Sequence, residues 1–338
     1  MKIVFAWTGT FAAAALLAAT SPAQGACAMK AFPIPVKMDG MRPTVTAKLD
    51  GQEGRFLVDS GAFNSGVADT FVVKRKLGAV KTGTTGTHLM VPAGEEVEGV
   101  AGAPGMSAVV HVEELNLSGI RFTKWSFLTL RGWSEEDRVG LLGQDILGQM
   151  DVEYDLAHDV IRMVQPKDCK DANLAYWAPP GSTYSVMPLV RSDQGNAHTE
   201  GTVFINGVKM RAMFDTGAET SFITEAAAGR AGVKVTDPGL TYTGYVSGLD
   251  GRVKSWSGRF ASVKVGDEEI RNGLLEIGRT SADFFDILIG ADFFLSHHVY
   301  VANSQRQIYF TYNGGRVFNI GHTEEAAAQA LPREPLAK

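Results

Sequence analysis

The sequence has little of what several common functions require. Its formal net charge is only −5 over 338 residues, which gives no reason to expect nucleic acid or an anionic membrane surface as a partner. The seven histidines are scattered, apart from the adjacent pair His297 and His298. Adjacent side chains on a strand point to opposite faces, so this pair could not readily share one ion. We therefore predict no metal and no cofactor.

A long apolar run occurs only at the start of the chain. Lys2 is followed by an uncharged stretch at 3–20 and then by the small-residue segment SPAQGACA. This layout is typical of a secretory signal peptide, which we expect at residues 1–28. An uncleaved anchor is the alternative, but the run is short and rich in alanine and threonine. We expect a periplasmic or secreted protein with no stable membrane insertion after signal cleavage.

The chain has only two cysteines, Cys27 and Cys169. If cleavage leaves Cys27 in place, an oxidising compartment permits a Cys27–Cys169 bridge. If cleavage falls after Ala28, Cys169 is a lone thiol. A lipid attached to Cys27 is a third interpretation. Gln24 argues against it, because bacterial lipoprotein signals usually carry an aliphatic residue at that position.

The chain contains an internal repeat. The segment GRFLVDSGAFNSGV at 54–67 matches MRAMFDTGAETSFI at 210–223 with a constant offset of 156 residues (215 − 59). Each copy runs from apolar residues into Asp-(Ser or Thr)-Gly-Ala, which predicts a buried strand ending in a turn where glycine frees the backbone. Two equivalent half-chains, each presenting one aspartate, predict a paired-carboxylate site.

Length and repeat together predict two domains. We place the first at 29–165, a proline-containing linker at 166–184, the second at 185–320 and an exposed tail at 321–338. Alternating patterns predict hairpins at 43–58, 150–164 and 299–311, and short helices are expected at 67–77, 144–147 and 224–231. Two glycine-rich segments, 81–105 and 241–256, are hairpin or loop candidates.

The repeated motifs resemble those of the retropepsin-like aspartic proteases. The matching residues are Asp59-Ser60-Gly61-Ala62 with Leu141-Leu142-Gly143, and Asp215-Thr216-Gly217-Ala218 with Leu288-Ile289-Gly290. The resemblance covers most of both halves. It implies a mostly β fold of two β-barrel lobes in one chain, related by a pseudo-twofold axis, with short helices.

The resemblance also implies the roles of individual residues. Asp59 and Asp215 would be the catalytic pair, and the hydroxyls of Ser60 and Thr216 would bond across the lobe interface. Supporting loop positions would be Gly61, Ala62, Gly217 and Ala218. The segments 81–105 and 241–256 would be flaps that close over an extended peptide.

Paired carboxylates carry a definite chemistry. Two acids within hydrogen-bond reach share one proton, so one can accept a proton from water while the other polarises a carbonyl group. The sequence offers no credible serine or cysteine nucleophile. We therefore predict an aspartic endopeptidase acting on an extended peptide or protein, as a monomer with an internal pseudo-dimer rather than as a swapped dimer.

The two copies are not identical, and other functions stay open. Phe63-Asn64 in the first copy stands where the second has Glu219-Thr220, and Asp155 has Ala302 as its counterpart. One alternative is a non-catalytic periplasmic peptide-binding module on the same fold. Another is a glycosidase using the same two acids, in which the carboxyls would be about 5 Å or more apart.

Overall fold

The computed structural model describes residues 27–78, 109–130, 133, 137–190, 198–248, 251–280 and 284–318. Most of the predicted signal peptide, the glycine-rich segment 81–105 and the predicted tail 321–338 lie outside these residues. No helix among the described residues is long and apolar enough to cross a membrane.

The first half is a succession of strands with three short helical segments. Its elements are β1 (Ala28–Asp39), β2 (Arg42–Leu49), β3 (Gln52–Val58), β4 (Gly66–Ala68), α1 (Asp69–Arg75), β5 (Val109–Leu117), β6 (Ile120–Leu130), β7 (Gly140–Leu142), α2 (Gln144–Leu147), β8 (Asp151–Asp155), a 3-10 turn (Leu156–His158) and β9 (Val160–Lys167).

The second half repeats this order. Its elements are β10 (Ser185–Pro188), β11 (Glu200–Ile205), β12 (Val208–Phe214), β13 (Phe222–Thr224), α3 (Glu225–Arg230), β14 (Thr241–Gly248), β15 (Gly251–Val265), β16 (Glu268–Gly278), β17 (Ile287–Ile289), α4 (Ala291–Ser296), β18 (His297–Ala302) and β19 (Gln307–Tyr312).

Each half closes six strands into a barrel. The first follows the order β2-β3-β7-β4-β6-β5, with β5 pairing back onto β2. The second follows β11-β12-β17-β13-β16-β15, with β15 pairing back onto β11. In β2 the alternation is as predicted, because Val45, Ala47 and Leu49 are buried while Thr46 and Lys48 are exposed. The predicted two-lobed, mostly β fold is confirmed.

A third sheet joins the two barrels. It has the order β10-β19-β18-β8-β9-β1, with every pairing antiparallel. The predicted hairpins β8–β9 and β18–β19 are therefore confirmed, and they pair with each other through registers such as Val299 with Tyr154. Three strands from each half thus share one hydrogen-bonded sheet.

The segment that connects the halves is packed against this sheet. Leu174 and Ala175 are buried, and the Trp177 ring stacks on His298 with centroids 4.3 Å apart. Cys169 forms a disulfide with Cys27, so of the three expectations for the cysteines the structure contains the first. The bridge ties the start of β1 to the end of β9.

The two longest strands that were not predicted are β1 and β16. β1 contains Pro33 and Pro35, and it pairs with β9 from Ala28 to Pro35 and with β2 from Val36 to Asp39. Both prolines therefore lie where β1 has one neighbouring strand, which is where a strand tolerates proline. β16 is the long partner of β15, and they pair from Ser255 with Gly278 to Val265 with Glu268.

Candidate functional site

Each repeated aspartate stands at the end of a central barrel strand. Asp59 follows β3, and its backbone N–H donates to the carbonyl of Leu142 at 3.0 Å. Asp215 follows β12 and donates likewise to Ile289 at 2.8 Å. Both partners belong to the apolar-apolar-glycine motifs, whose strands β7 and β17 run parallel to β3 and β12. The later motif of each half therefore positions that half's acid.

The turn after each aspartate holds the carboxylate. In both lobes one carboxyl oxygen accepts the backbone N–H groups of the second and third following residues, an arrangement that stabilises the ionised form. The donor distances are 3.0 Å from Gly61 and 3.0 Å from Ala62 to Asp59 Oδ1, and 2.8 Å from Gly217 and 3.3 Å from Ala218 to Asp215 Oδ1.

The two carboxyls face each other across the lobe interface. A side chain at Gly61 would overlap the carboxyl of Asp215, and one at Gly217 would overlap the carboxyl of Asp59. Glycine is thus required at both places because the opposing acid lies against the backbone. The two side chains hydrogen-bond to each other, although they lie 156 residues apart in sequence.

The electrostatics of the pair indicate one shared proton. Burial raises the pKa of Asp59 well above its usual value, and the charge and hydrogen bond of Asp215 raise it further. Burial also raises the pKa of Asp215, but the N–H of Gly217 and the hydrogen bond from Asp59 work in the other direction. The two acids therefore share one proton, and their titration steps belong to the pair.

Two buried hydroxyls connect the acid-bearing loops of the two lobes by hydrogen bonds. Ser60 Oγ donates to the carbonyl of Phe214 at 2.8 Å, and Thr216 Oγ1 donates to that of Val58 at 2.7 Å. Each hydroxyl also accepts the backbone N–H of the other residue, at 3.0 Å for Thr216 and 3.1 Å for Ser60. These four bonds cross the interface in a symmetric pattern, as the family resemblance implies.

A serine and an aspartate stabilise the first-lobe acid-bearing loop through hydrogen bonds, an arrangement we call the brace. The N–H and Oγ of Ser65 donate to Asp145 Oδ1 at 2.9 and 2.6 Å. Ser65 Oγ then accepts the N–H of Gly143 at 2.9 Å. The aspartate therefore connects the acid-bearing loop to the apolar-apolar-glycine motif.

The second lobe repeats the brace. Ser221 donates from its N–H to Asp292 Oδ2 at 2.9 Å and from its Oγ to Oδ1 at 2.6 Å, and Gly290 N–H donates to Ser221 Oγ at 2.9 Å. Burial raises the pKa of Asp292 to about 6. Asp145 and Asp292 were not predicted from the sequence. The available signal was an aspartate two residues after the motif glycine in both copies.

The predicted hairpin at 241–256 is formed by β14 and β15, and a buried acid ties it to the second loop. Glu276 Oε1 accepts Ser255 Oγ at 2.6 Å and Thr243 Oγ1 at 3.4 Å, one from each hairpin strand. Its Oε2 accepts Thr220 Oγ1 at 3.0 Å, from the loop that carries Asp215. Glu276 was not predicted from the sequence.

A further cluster of possible metal ligands lies in the shared sheet. Glu153, Asp155 and His298 bring one ligand atom each within 4.8 Å of one another. The guanidinium of Arg162 already occupies the cation position, because its Nη1 lies 2.5 Å from Glu153 Oε1 and 3.6 Å from Asp155 Oδ2. The arrangement is that of a buried ion-pair network between the lobes.

Comparison with known proteins supports the family. Residues 201–296 match the family described as gag-polyprotein putative aspartyl protease, and this range contains both motifs of the second lobe. The match supports a retropepsin-like family. This family supports an aspartyl protease function in general terms. No curated protein matches the sequence.

Among solved structures, this chain is similar to one titled "Crystal structure of a retropepsin-like aspartic protease from Rickettsia conorii". The identity is 27%, the similarity covers 32% of this chain and 83% of the other, and the TM-score is 0.26.

Proposed function

We propose that this protein is an aspartic endopeptidase, in which a water molecule is activated between Asp59 and Asp215. The observation that carries the proposal is the hydrogen-bonded pair of carboxyls contributed by equivalent loops of two barrels. That contact does not fit a two-carboxylate glycosidase, which needs its acids about 5 Å or more apart.

The shared proton resides on one acid of the near-symmetric pair, and Asp59 holds it at the start of the proposed cycle. The water oxygen bonds to the scissile carbonyl carbon while its proton passes to ionised Asp215, and Asp59 gives its proton to the carbonyl oxygen. The resulting diol collapses when Asp215 protonates the amide nitrogen and one hydroxyl returns a proton to Asp59. The carbon–nitrogen bond breaks, and both acids regain their starting states.

The substrate is an extended peptide lying between the lobes, paired as an added strand. The hairpin β14–β15 would cover it from the second lobe, because Glu276 anchors the base of that hairpin to the Asp215 loop. The first-lobe flap candidate at 81–105 lies outside the described residues and stays a prediction.

We further propose that the protein works outside the cytoplasm, in the periplasm or after secretion, as a monomer. The Cys27–Cys169 disulfide supports this location, since such bonds form and persist in oxidising compartments.

The test is cleavage of casein and of a denatured-proteome peptide library by the wild type, Asp59→Asn and Asp215→Asn. We expect each variant to lose at least about 100-fold in kcat/KM, because both acids exchange protons in the transition state. Asp171→Asn, at an exposed position, is the matched control and should cleave like the wild type. Equal rates for all four proteins would refute the proposal, and peptide binding without cleavage would favour a non-catalytic module.

A further inference from the structure

Two inter-lobe contacts beside the acid pair occupy equivalent positions but differ in chemistry. Arg42 and His198 are related by the repeat offset of 156 residues, as are Phe63 and Glu219. Arg42 of the first lobe reaches the second-lobe loop, where its Nε lies 3.3 Å from Glu219 Oε1. His198 of the second lobe reaches the first-lobe loop, where its ring lies 3.5 Å from that of Phe63. One contact is an ion pair and the other is aromatic.

Both loop residues are placed to touch a ligand. Phe63 and Glu219 each follow the aspartate of their loop by four residues. Their backbones are held alike, because Phe63 O accepts the N–H of Asp145 at 3.0 Å and Glu219 O accepts that of Asp292 at 3.2 Å. Phe63 is 37% exposed and the Glu219 side chain 45% exposed. Each therefore presents a free surface on its own acid-bearing loop.

His198 points to a bound group at the aromatic end. Its side chain is only 8% exposed, and neither ring nitrogen has a hydrogen-bond partner among the described residues. Phe284 flanks it on another side, with ring centroids 6.2 Å apart and planes 9° apart. A buried polar group without a partner is costly. Burial also lowers the pKa of His198 to about 4, so the ring is neutral at neutral pH.

We propose that the cleft is chemically polarised. The corner formed by Phe63, His198 and Phe284 accepts an apolar side chain of the peptide, and a ring nitrogen of His198 hydrogen-bonds to the same ligand. The Arg42–Glu219 corner accepts a polar or basic side chain. This inference rests on the proposed peptide substrate and specifies its class: peptides that are apolar on one side of the scissile bond and polar on the other.

The physical basis is the difference in desolvation at the two corners. An apolar side chain against Phe63 removes apolar surface from water, which is favourable. A charged side chain there would lose hydration without gaining a partner. At the other corner an apolar side chain would desolvate the ion pair, whereas a basic group gains the exposed carboxylate of Glu219.

The deciding experiment exchanges the corners. Phe63→Glu with His198→Arg copies the ion pair into the first-lobe corner, and Arg42→His with Glu219→Phe copies the aromatic contact into the second. In cleavage profiles of a peptide library, we measure the preference for apolar over charged side chains on each side of the scissile bond. In the first variant this preference should fall roughly ten-fold, and on one side only. The second should become apolar-selective on both sides. Unchanged profiles would overturn the inference.

A binding measurement separates this inference from the proposed catalysis. Statine-containing hexapeptides that differ only in one end residue, leucine or lysine, are titrated by calorimetry into the wild type, Asp59→Asn and both exchange variants. Phe63→Ser, at a site that is already partly exposed, replaces the first double variant should that one not fold.

The leucine-over-lysine preference should be about ten-fold at one end of the wild type and should fall in the first-lobe variants alone. A fall of this preference in the first-lobe variants, with a wild type that cleaves peptides no faster than Asp59→Asn, would support the polarised cleft and refute the peptidase proposal. If neither peptide binds, or the preference is the same in every variant, the polarised cleft is wrong even where cleavage is observed.

Discussion

Asp59 and Asp215 stand in loops that are near-copies, and the two acids share one proton. Both are held by two backbone N–H groups, and both have a raised pKa because of burial. The neighbouring charge adds to this effect for Asp59, whereas the hydrogen bond from Asp59 lowers the pKa of Asp215. The titration therefore belongs to the pair rather than to either loop, because the two acids share one proton.

The raised pKa of Asp59 predicts that Asp59→Asn stabilises the fold at neutral and alkaline pH. A folded pKa above the unfolded value contributes stability that is complete below the unfolded pKa, near 3.8, and is lost as pH rises through the folded pKa. The wild type should therefore lose stability relative to Asp59→Asn as pH rises from 4 to 8. Thermal melts over that range check this, with Asp171→Asn as control. A difference independent of pH would contradict it.

The Thr216 hydroxyl is predicted to stabilise the lobe interface. Thr216→Val keeps the side-chain shape but leaves the carbonyl of Val58 and the N–H of Ser60 without this buried partner. We expect a loss of about 1–3 kcal/mol in the free energy of unfolding for such unpaired groups. Thr216→Ser retains the hydroxyl and should lose less. Urea unfolding of the three proteins decides, and equal losses in both variants would refute the role of the hydroxyl.

At the scale of elements, the two barrels have the same strand order. They differ in the side-chain contacts that connect their strands to the acid-bearing loops. In the second, β13 pairs with β16 so that Phe222 opposes Glu276, and in the first the matching pair is Gly66 with Leu128. The carboxylate of Glu276 thus has no counterpart at the matching position of the first barrel, where Leu128 stands. The hairpin β14–β15 is consequently hydrogen-bonded to the Asp215 loop in a way that Leu128 cannot reproduce.

Glu276 is predicted to be a positioning residue. Glu276→Leu removes the acceptors of Ser255 and Thr220, so the hairpin should hold substrate less precisely and kcat/KM should fall about ten-fold. Glu276→Gln keeps one acceptor oxygen and should fall less. Because the acid pair is untouched, the shape of the pH–rate profile should persist in both variants. A displaced profile would instead assign Glu276 a part in the proton chemistry.

At the scale of the whole molecule, the shared sheet and the disulfide hold two barrels in one unit. The sheet takes three strands from each half, and the buried contact between His298 Nε2 and Glu153 Oε1, at 2.8 Å, crosses the same junction. The lobes therefore present their acids in one fixed arrangement, and relative motion of the lobes would disturb the pair directly.

The Cys27–Cys169 bridge is predicted to contribute substantially to stability. It spans 142 residues in sequence, for which loop-closure entropy gives an upper value of about 5 kcal/mol. Cys27→Ser with Cys169→Ser should lower the denaturation midpoint, and reductant should lower that of the wild type to the same value. The double variant is its own control, since reductant should leave it unchanged. A wild type insensitive to reductant, with the bond shown to be cleaved, would contradict the prediction.

Much of this architecture was readable from local sequence. The two Asp-(Ser or Thr)-Gly-Ala turns, the apolar-apolar-glycine motifs and the hairpins around 50–51, 156–158 and 303–306 follow from residues that are near neighbours in the chain. The long strands β1 and β16 escaped detection for local reasons as well. β1 carries two prolines, and β16 mixes charged residues and glycine with its apolar ones, so neither shows a clean alternation.

The sequence by itself determined that two equivalent halves each end a strand in an aspartate, because turn glycines and alternating patterns act over a few residues. Only the tertiary structure decided that Asp59 and Asp215 are in contact and that Asp145 and Asp292 hydrogen-bond to their acid-bearing loops. It also decided that the Arg42–Glu219 ion pair and the Phe63–His198 aromatic contact occupy equivalent positions in the two halves. Those contacts join residues from about 70 to 180 positions apart. Their partners are selected by strand register in the shared sheet and by barrel closure, which no local pattern encodes.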